Sequence, residues 1–368
     1  MSAALGDLAV AAVPGHRRLA VVLLRGGMDG LHMLRPFGDP AFRMVRPGLS
    51  QIIPGEDRIE VNGLYGLCLP QGADELKGLW SRGELSFIQA VSTPYRHGRS
   101  HFEGQDMLES GGAAVRDLRT GWLSRMMGIL PGVDPREALT LSSTAMLLGK
   151  GTPSLANWSA PPDGLDAVSP DRLLALYEQA PAFRAVATEA LRLSEHATEA
   201  RQGEKPEIRI ARAAADMLRA NARIAAFSIG GWDTHSGQSG RMQPPLKVLS
   251  GALAGLREGL GPLWAQTAVI CVTEFGRSAR ENGSGGTDHG TGGMALLAGG
   301  AIRGGQVHGD WPGLGDGNLF EGRDLNPTAD VRLYLAALFR DMFGAAPADM
   351  ARNVFPGVDV GQRLSLLA

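Results

Sequence analysis

Carboxylates and imidazoles follow glycine at several separate points of this chain. "GGWDTHSGQ" sets Asp233 and His235 two residues apart, directly after an apolar run. "LLRGGMDG" carries Asp29, "VTEFGRS" carries Glu274 and Arg277, "TDHGTGG" carries Asp288 and His289, and "VHGDWPG" carries His308. A further loop, "PYRHGRSHFEGQ", carries Arg99, Ser100 and His101. Five of the eight histidines lie in these loops. Carboxylate mixed with imidazole is the ligand set of zinc, manganese or iron, without the thiolates of a structural zinc site. Each piece alone has a plainer reading. An aspartate after a Gly-Gly turn caps a helix, and Ser100 does the same before "HFEGQDMLESG". "DTH" can be a solvated loop, "TEFGR" a surface ion pair and "DHG" a tight turn. Their repetition after glycine, where the backbone can approach closely, points to one metal-assisted site.

The elements that would position these residues alternate. Short apolar runs at 19–27, 85–92, 138–149, 224–231, 267–274 and 293–302 read as strands. "ADELKGLWSRGE", "HFEGQDMLESG", residues 245–260 and "TADVRLYLAALFRDMFG" read as helices, and 170–222 as an Ala-rich, charged helical block. This order predicts a mostly parallel sheet with helices on both faces, an α/β fold. Sites in such sheets gather outside the carboxyl ends of the strands, where most of these residues fall. We expect an N-terminal extension over 1–18 and a single domain over 19–368, with about 165–222 as a helical insertion or side layer.

Composition narrows the classes. A formal net charge of −2 argues against a nucleic-acid or anionic-membrane role resting on charge. No stretch is apolar and long enough to span a membrane. The first 18 residues lack a basic start, are interrupted by Asp7 and place Arg17 and Arg18 after the apolar part, so they do not read as an intact export signal. Two cysteines, Cys68 and Cys271, exclude a disulfide framework and leave the compartment open.

The ordered series "LLRGGMDGLHMLRPFGDPAF", "RSHFEGQD", "FSIGGWDTHSGQ", "VTEFGRSARENG", "TDHGTGG" and "VHGDWPGL" resembles a bacterial family known mainly as a domain of unknown function. Its members are described as sulfatase-like and often carry twin-arginine export signals, which implies a periplasmic or exported protein. By fold the family is similar to the alkaline phosphatase superfamily. That resemblance implies a three-layer α/β/α sandwich with two divalent metals about 4 Å apart, zinc or manganese, acting on a small-molecule anionic ester. Asp29 matches a ligand at the end of the first strand, and Ser100 matches a nucleophile at a helix N-terminus, where backbone amides help hold an anion. Asp233 and His235 match an Asp-His ligand pair, although the superfamily commonly spaces that pair by four. For the remaining ligands two alignments stay open. Either Asp288 and His289 follow the alkaline phosphatase pattern with His308 last, or Glu274 takes the strand end and His289 is last, as in cofactor-independent phosphoglycerate mutase. Periodicity favours the second, because "VICVT" runs straight into Glu274.

The resemblance implies hydrolysis of a phosphate or related oxyanion ester. Arg99 and Arg277 are the candidate anion clamps, and His101 a leaving-group acid or ligand. The sulfatase motif that yields formylglycine is only begun by "CLPQG" at Cys68, with Gly72 where arginine belongs, so that chemistry is disfavoured. The competing readings are a non-catalytic metal- or ligand-binding relative and a structural partner protein.

Overall fold

The structure, a computed structural model, describes residues 17–159, 203–361 and 363–368. Most of the expected extension, and residues 165–202 of the expected insertion, lie outside the described residues. The first strand, β1 (Arg18–Leu24), explains the architecture. It is buried on both faces, as a parallel sheet covered on two sides requires. Leu19, Val21 and Leu23 pack into one apolar cluster with helices Trp122–Met127 and Val331–Phe343. Ala20, Val22 and Leu24 pack into the other with helices Asp74–Ser81, Pro206–Ala220 and Gln243–Leu260. The period of two along one strand therefore separates two helical layers around a central sheet.

A small antiparallel sheet follows β1: β2 (Leu34–Arg35), β3 (Glu56–Glu60) and β4 (Gly66–Pro70), in the order β2-β4-β3. The main sheet continues with β5 (Leu85–Ser92), β6 (Ala138–Leu141), β7 (Ala156–Trp158), β8 (Ile224–Ile229), β9 (Thr267–Val272) and β10 (Gly293–Ala298), then the short β11 (Val307–His308) and β12 (Ala329–Asp330). Its order is β11-β5-β10-β9-β1-β8-β6-β7, with β12 also on β5. β10 runs antiparallel to both neighbours, and the other pairs of this sheet are parallel. The carboxyl ends of β1, β5, β8 and β9 consequently open on one edge.

Several elements differ from the sequence reading for local reasons. The apolar stretch 138–149 is extended only to Leu141; after the polar Ser142–Thr144 a 3-10 turn covers Leu147–Gly149. β10 stops at Ala298 because Gly299 turns with a φ of +123°. The last long helix starts at Val331, where the Asp330 side chain accepts from the Arg332 amide. Helix Pro206–Ala220, the described end of the helical block, is part of the core layer. It buries Ala211, Ala214, Ala215 and Leu218 at helical spacing. Cys68 lies buried in β4, where desolvation pushes its thiol up to about 11.

Candidate metal centre

Three loops at the open edge are pinned before they present side chains. After β8 the chain turns through Gly230 and Gly231, and Trp232 buries completely, donating from Nε1 to the Ile229 carbonyl at 3.0 Å. That anchor turns Asp233 outward. After β1, Gly26 adopts a φ of +123°, and a Cβ there would stand 2.7 Å from the Asp233 amide nitrogen. Only glycine allows the two loops to meet. After β9, Arg277 braces the group. Its buried guanidinium donates to the carbonyls of Gly26, Gly27, Trp232 and Thr287 and reaches Asp233 Oδ1 at 2.5 Å.

Around Asp233 the imidazoles converge. His101, Asp233 and His289 each offer a ligand atom, all within 4.8 Å of one another. His235 Nε2 lies 3.1 Å from Asp233 Oδ1 and 3.0 Å from His289 Nε2. His289 Nε2 is 3.2 Å from Asp233 Oδ1, and His101 Nε2 is 3.4 Å from Asp233 Oδ2. The opposite ring nitrogens face acceptors. His101 Nδ1 meets Glu274 Oε1 at 2.8 Å, His289 Nδ1 the Arg99 carbonyl at 2.7 Å, and His235 Nδ1 Asp288 Oδ1 at 3.4 Å. Each ring thus has an acceptor on both sides, a carboxylate or carbonyl at Nδ1 and the Asp233 carboxylate at Nε2. A cation bound between the rings would leave the proton on Nδ1 and take the Nε2 lone pair as ligand. Phe275 forms the floor, with its ring centroid 5.1 Å from that of His101 and 4.8 Å from that of His289.

His235 Nε2 and His289 Nε2 lie 3.0 Å apart, and the buried His101 Nε2 has no hydrogen-bond partner among the described residues. Three imidazole nitrogens and one carboxylate with carboxylate or carbonyl support behind them are the donor set of a divalent transition metal, and these residues fit one.

The electrostatics agree. Burial alone would raise Asp233, but hydrogen bonds from Arg277 and His289 override it and hold its carboxyl at about 2. Glu274 is also held low: burial opposes ionisation, and His101 with the amides of Gly26 and Gly27 overcomes it. The bond to Glu274 raises His101, whereas burial lowers His289.

The residues singled out from sequence thus fall into distinct places. Asp233, His235, His289 and His101 meet, with Glu274 and Asp288 behind two of the rings. Asp29 lies at the same edge but differs from expectation. Its Oδ2 accepts from Arg46 Nη1 at 2.8 Å and Gln238 Nε2 at 2.6 Å and lies 3.2 Å from Thr287 Oγ1, and its Oδ1 accepts from the His32 amide at 3.2 Å. Arg277 also differs, being an internal brace where an anion clamp was expected. His308 is not brought to the group: it pairs with Ile88, midway along β5, on an edge strand. Ser100 occupies the N-cap position of helix His101–Ser110, yet its side chain makes no capping bond. Arg99 is exposed, and its guanidinium has no hydrogen-bond or ion-pair partner among the described residues. Arg46, Gln238 and Phe275 were missed. Phe275 sits inside "TEFGR", where an aromatic between an acid and a glycine was the available signal. Arg46 had none, because its partner is distant in sequence.

The sequence pattern of the family described as "Protein of unknown function (DUF1501)" matches residues 92–340, well over half of the chain, and the chain belongs to that family. No curated protein matches it in sequence. Among solved structures it is similar to the zinc complex of the C-terminal periplasmic domain of EcEptC from Escherichia coli, with 8% identity, 97% of this chain and 93% of that chain covered, and a TM-score of 0.44. It is similar to the lipoteichoic acid synthase LtaP from Listeria monocytogenes, with 10% identity, coverage of 96% and 77%, and a TM-score of 0.40. A protein in the alkaline phosphatase superfamily from Vibrio parahaemolyticus gives 12% identity, coverage of 95% and 71%, and a TM-score of 0.41. Likeness this loose carries no function by itself. No helix among the described residues is long and apolar enough to cross a membrane.

Proposed function

We propose that this chain is a metal-dependent hydrolase of phosphate or related oxyanion esters, with its metal held by His101, Asp233, His235 and His289. The observation that carries the reading is the inward convergence of three Nε2 atoms on one carboxylate, each ring supported through Nδ1. Zinc or manganese suits these nitrogen and oxygen donors. A divalent ion held there supplies Lewis-acid neutralisation of charge on the transferring group.

The chain's own residues supply the rest. Glu274, Asp288 and the Arg99 carbonyl orient the three rings. Ser100 immediately precedes His101 at the start of a helix whose first amides have no intrahelical acceptor, a setting that favours an anionic group. Its hydroxyl, not engaged in capping, is the candidate nucleophile. The Arg99 guanidinium, with no hydrogen-bond or ion-pair partner among the described residues, is the candidate clamp for the ester's non-reacting oxygens. A small anionic ester is the substrate class, and a periplasmic or exported setting goes with the family resemblance.

One observation favours a second reading, a non-catalytic metal-binding protein: the buried cation nearest the centre, Arg277, is engaged by backbone carbonyls and Asp233. Turnover separates the two. The protein reconstituted with zinc or manganese is offered an aryl phosphate monoester, a phosphodiester and an aryl sulfate, with and without chelator. Chelator-sensitive hydrolysis that is largely lost in Ser100→Ala, at unchanged metal content, supports the hydrolase. Metal binding without turnover of any ester favours the second reading.

A further inference from the structure

We infer that the centre is mononuclear, because Arg46 already occupies the place of a second cation beside Asp29. The inference rests on the metal-centre reading and departs from the two-metal arrangement that the resemblance implies. A second metal needs a second set of open carboxylates at this edge, and the strand-end acids do not supply one.

Asp29 is the carboxylate at the end of β1, and protein donors hold both its oxygens. Arg46 Nη1 and Gln238 Nε2 donate to Oδ2 and the His32 amide to Oδ1. The Thr287 hydroxyl, 3.2 Å from Oδ2, gives its one proton to Gln238 Oε1 at 2.6 Å. The group is 1% exposed, and the Arg46 side chain is wholly buried. Arg46 is itself held in place, donating from Nε to the Ala279 carbonyl at 2.8 Å and from Nη2 to the Ser278 carbonyl at 2.7 Å. Gln238 is likewise fixed, since its Oε1 accepts from Thr234 Oγ1 at 3.0 Å and Thr287 Oγ1 at 2.6 Å. A metal at Asp29 would displace a guanidinium into a closed interior and strand two backbone carbonyls. Leaving a buried charge without its partner is strongly unfavourable.

The other carboxylates close the alternatives. Glu274 Oε1 accepts from the Gly26 amide at 2.9 Å, His101 Nδ1 at 2.8 Å and Gln105 Nε2 at 3.4 Å, and the Gly27 amide and its own amide also bond the carboxylate. Asp288 is half-exposed and already faces His235 Nδ1 and Asn282 Nδ2, and one exposed carboxylate does not build a tight site. Asp233 alone is open toward the imidazoles. The chain therefore sets a permanent cation, the Arg46 guanidinium, where a two-metal enzyme would place an exchangeable one.

The test is metal stoichiometry on the full chain, read by elemental analysis after zinc reconstitution and removal of loosely held ions. X-ray absorption on the same sample reads metal–metal scattering. One zinc per chain with no metal–metal scattering is expected, with the same count in Asp29→Asn. Two zinc ions per chain in the wild type overturn the inference while leaving the metal-centre reading intact. No zinc at all overturns both. The wild-type count decides even where Asp29→Asn fails to fold.

Discussion

Two aspartates of this protein begin from similar sequence and end in opposite chemistry. Asp29 and Asp233 each follow a strand and a pair of glycines at the same edge of the sheet. Asp29 is sealed in by a guanidinium, an amide and a helix-cap bond. Asp233 is partly exposed and looks at three imidazole nitrogens. The difference is made by what surrounds each acid. Guanidinium and amide donors complete Asp29 as structure, whereas Asp233, braced on one oxygen by Arg277, faces three ring nitrogens that can share a cation with it. The same distinction separates Arg46 and Arg277, which are buried and hold loops, from Arg99, which is exposed.

The contrast can be broken at either pole. The largest effect is expected at Asp233. Asp233→Ala should empty the centre and lower metal-dependent ester turnover by about a thousandfold or more, since groups acting as one unit fail together. Near-wild-type metal content in that variant would remove Asp233 from the ligand set.

At the other pole, Arg46→Met should cost about 3–5 kcal/mol of stability in chemical denaturation, because Asp29 is left buried and unpaired. The double variant Arg46→Met/Asp29→Leu should recover much of that loss. A single variant as stable as wild type would mean that the pair does not hold these loops.

A smaller effect distinguishes the poles by pH. His32 lies next to Asp29, and burial, with Arg35 and Arg46 nearby, depresses its ring from 6.5 to about 3. The unfolded chain takes up a proton on this ring below about pH 6.5 while the folded chain refuses it. Stability should therefore fall as pH falls through the window between about 6.5 and 3, by up to about 2 kcal/mol on reaching pH 5. Asp29, whose folded carboxyl is held low against its burial by Arg46, adds loss in the same direction at lower pH. Urea midpoints at pH 7 and 5 should separate further in wild type than in His32→Gln. Equal separations would show that His32 is not the group responsible.

The smallest effect belongs to the support of the metal rings. Asp288→Asn should weaken zinc affinity about tenfold, as loss of a partner behind a ligating histidine does. The melting transition of the metal-free protein should barely move. A large shift in that transition with unchanged affinity would make Asp288 a loop residue alone.

How much of this was legible follows from how local each signal is. β1, β5, β8, β9 and β10 are apolar runs, and their burial on both faces makes them readable. The gathering of His101, Asp233, His235 and His289 follows from strand ends sharing an edge, so motif positions located it. The small sheet was not read, because Glu56–Glu60 is charged and only its pairing with β4 makes it a strand. The surroundings of Asp29 are not legible locally, because they depend on Arg46, in "MVRPG", which carries no local mark of burial. "TEFGR" was read for its acid and its arginine. Its full sense needs the fold: Glu274 behind His101, Phe275 under two rings, and Arg277 inside the loops it holds together.

The central claim is that His101, Asp233, His235 and His289 form one metal centre. Anomalous diffraction from crystals of the zinc-reconstituted protein tests it most directly. The account predicts one anomalous peak, with the Nε2 atoms of the three histidines at about 2.0–2.1 Å and an Asp233 oxygen at about 2.0–2.2 Å. A peak at Asp29, or no peak among these imidazoles in fully reconstituted protein, would contradict it.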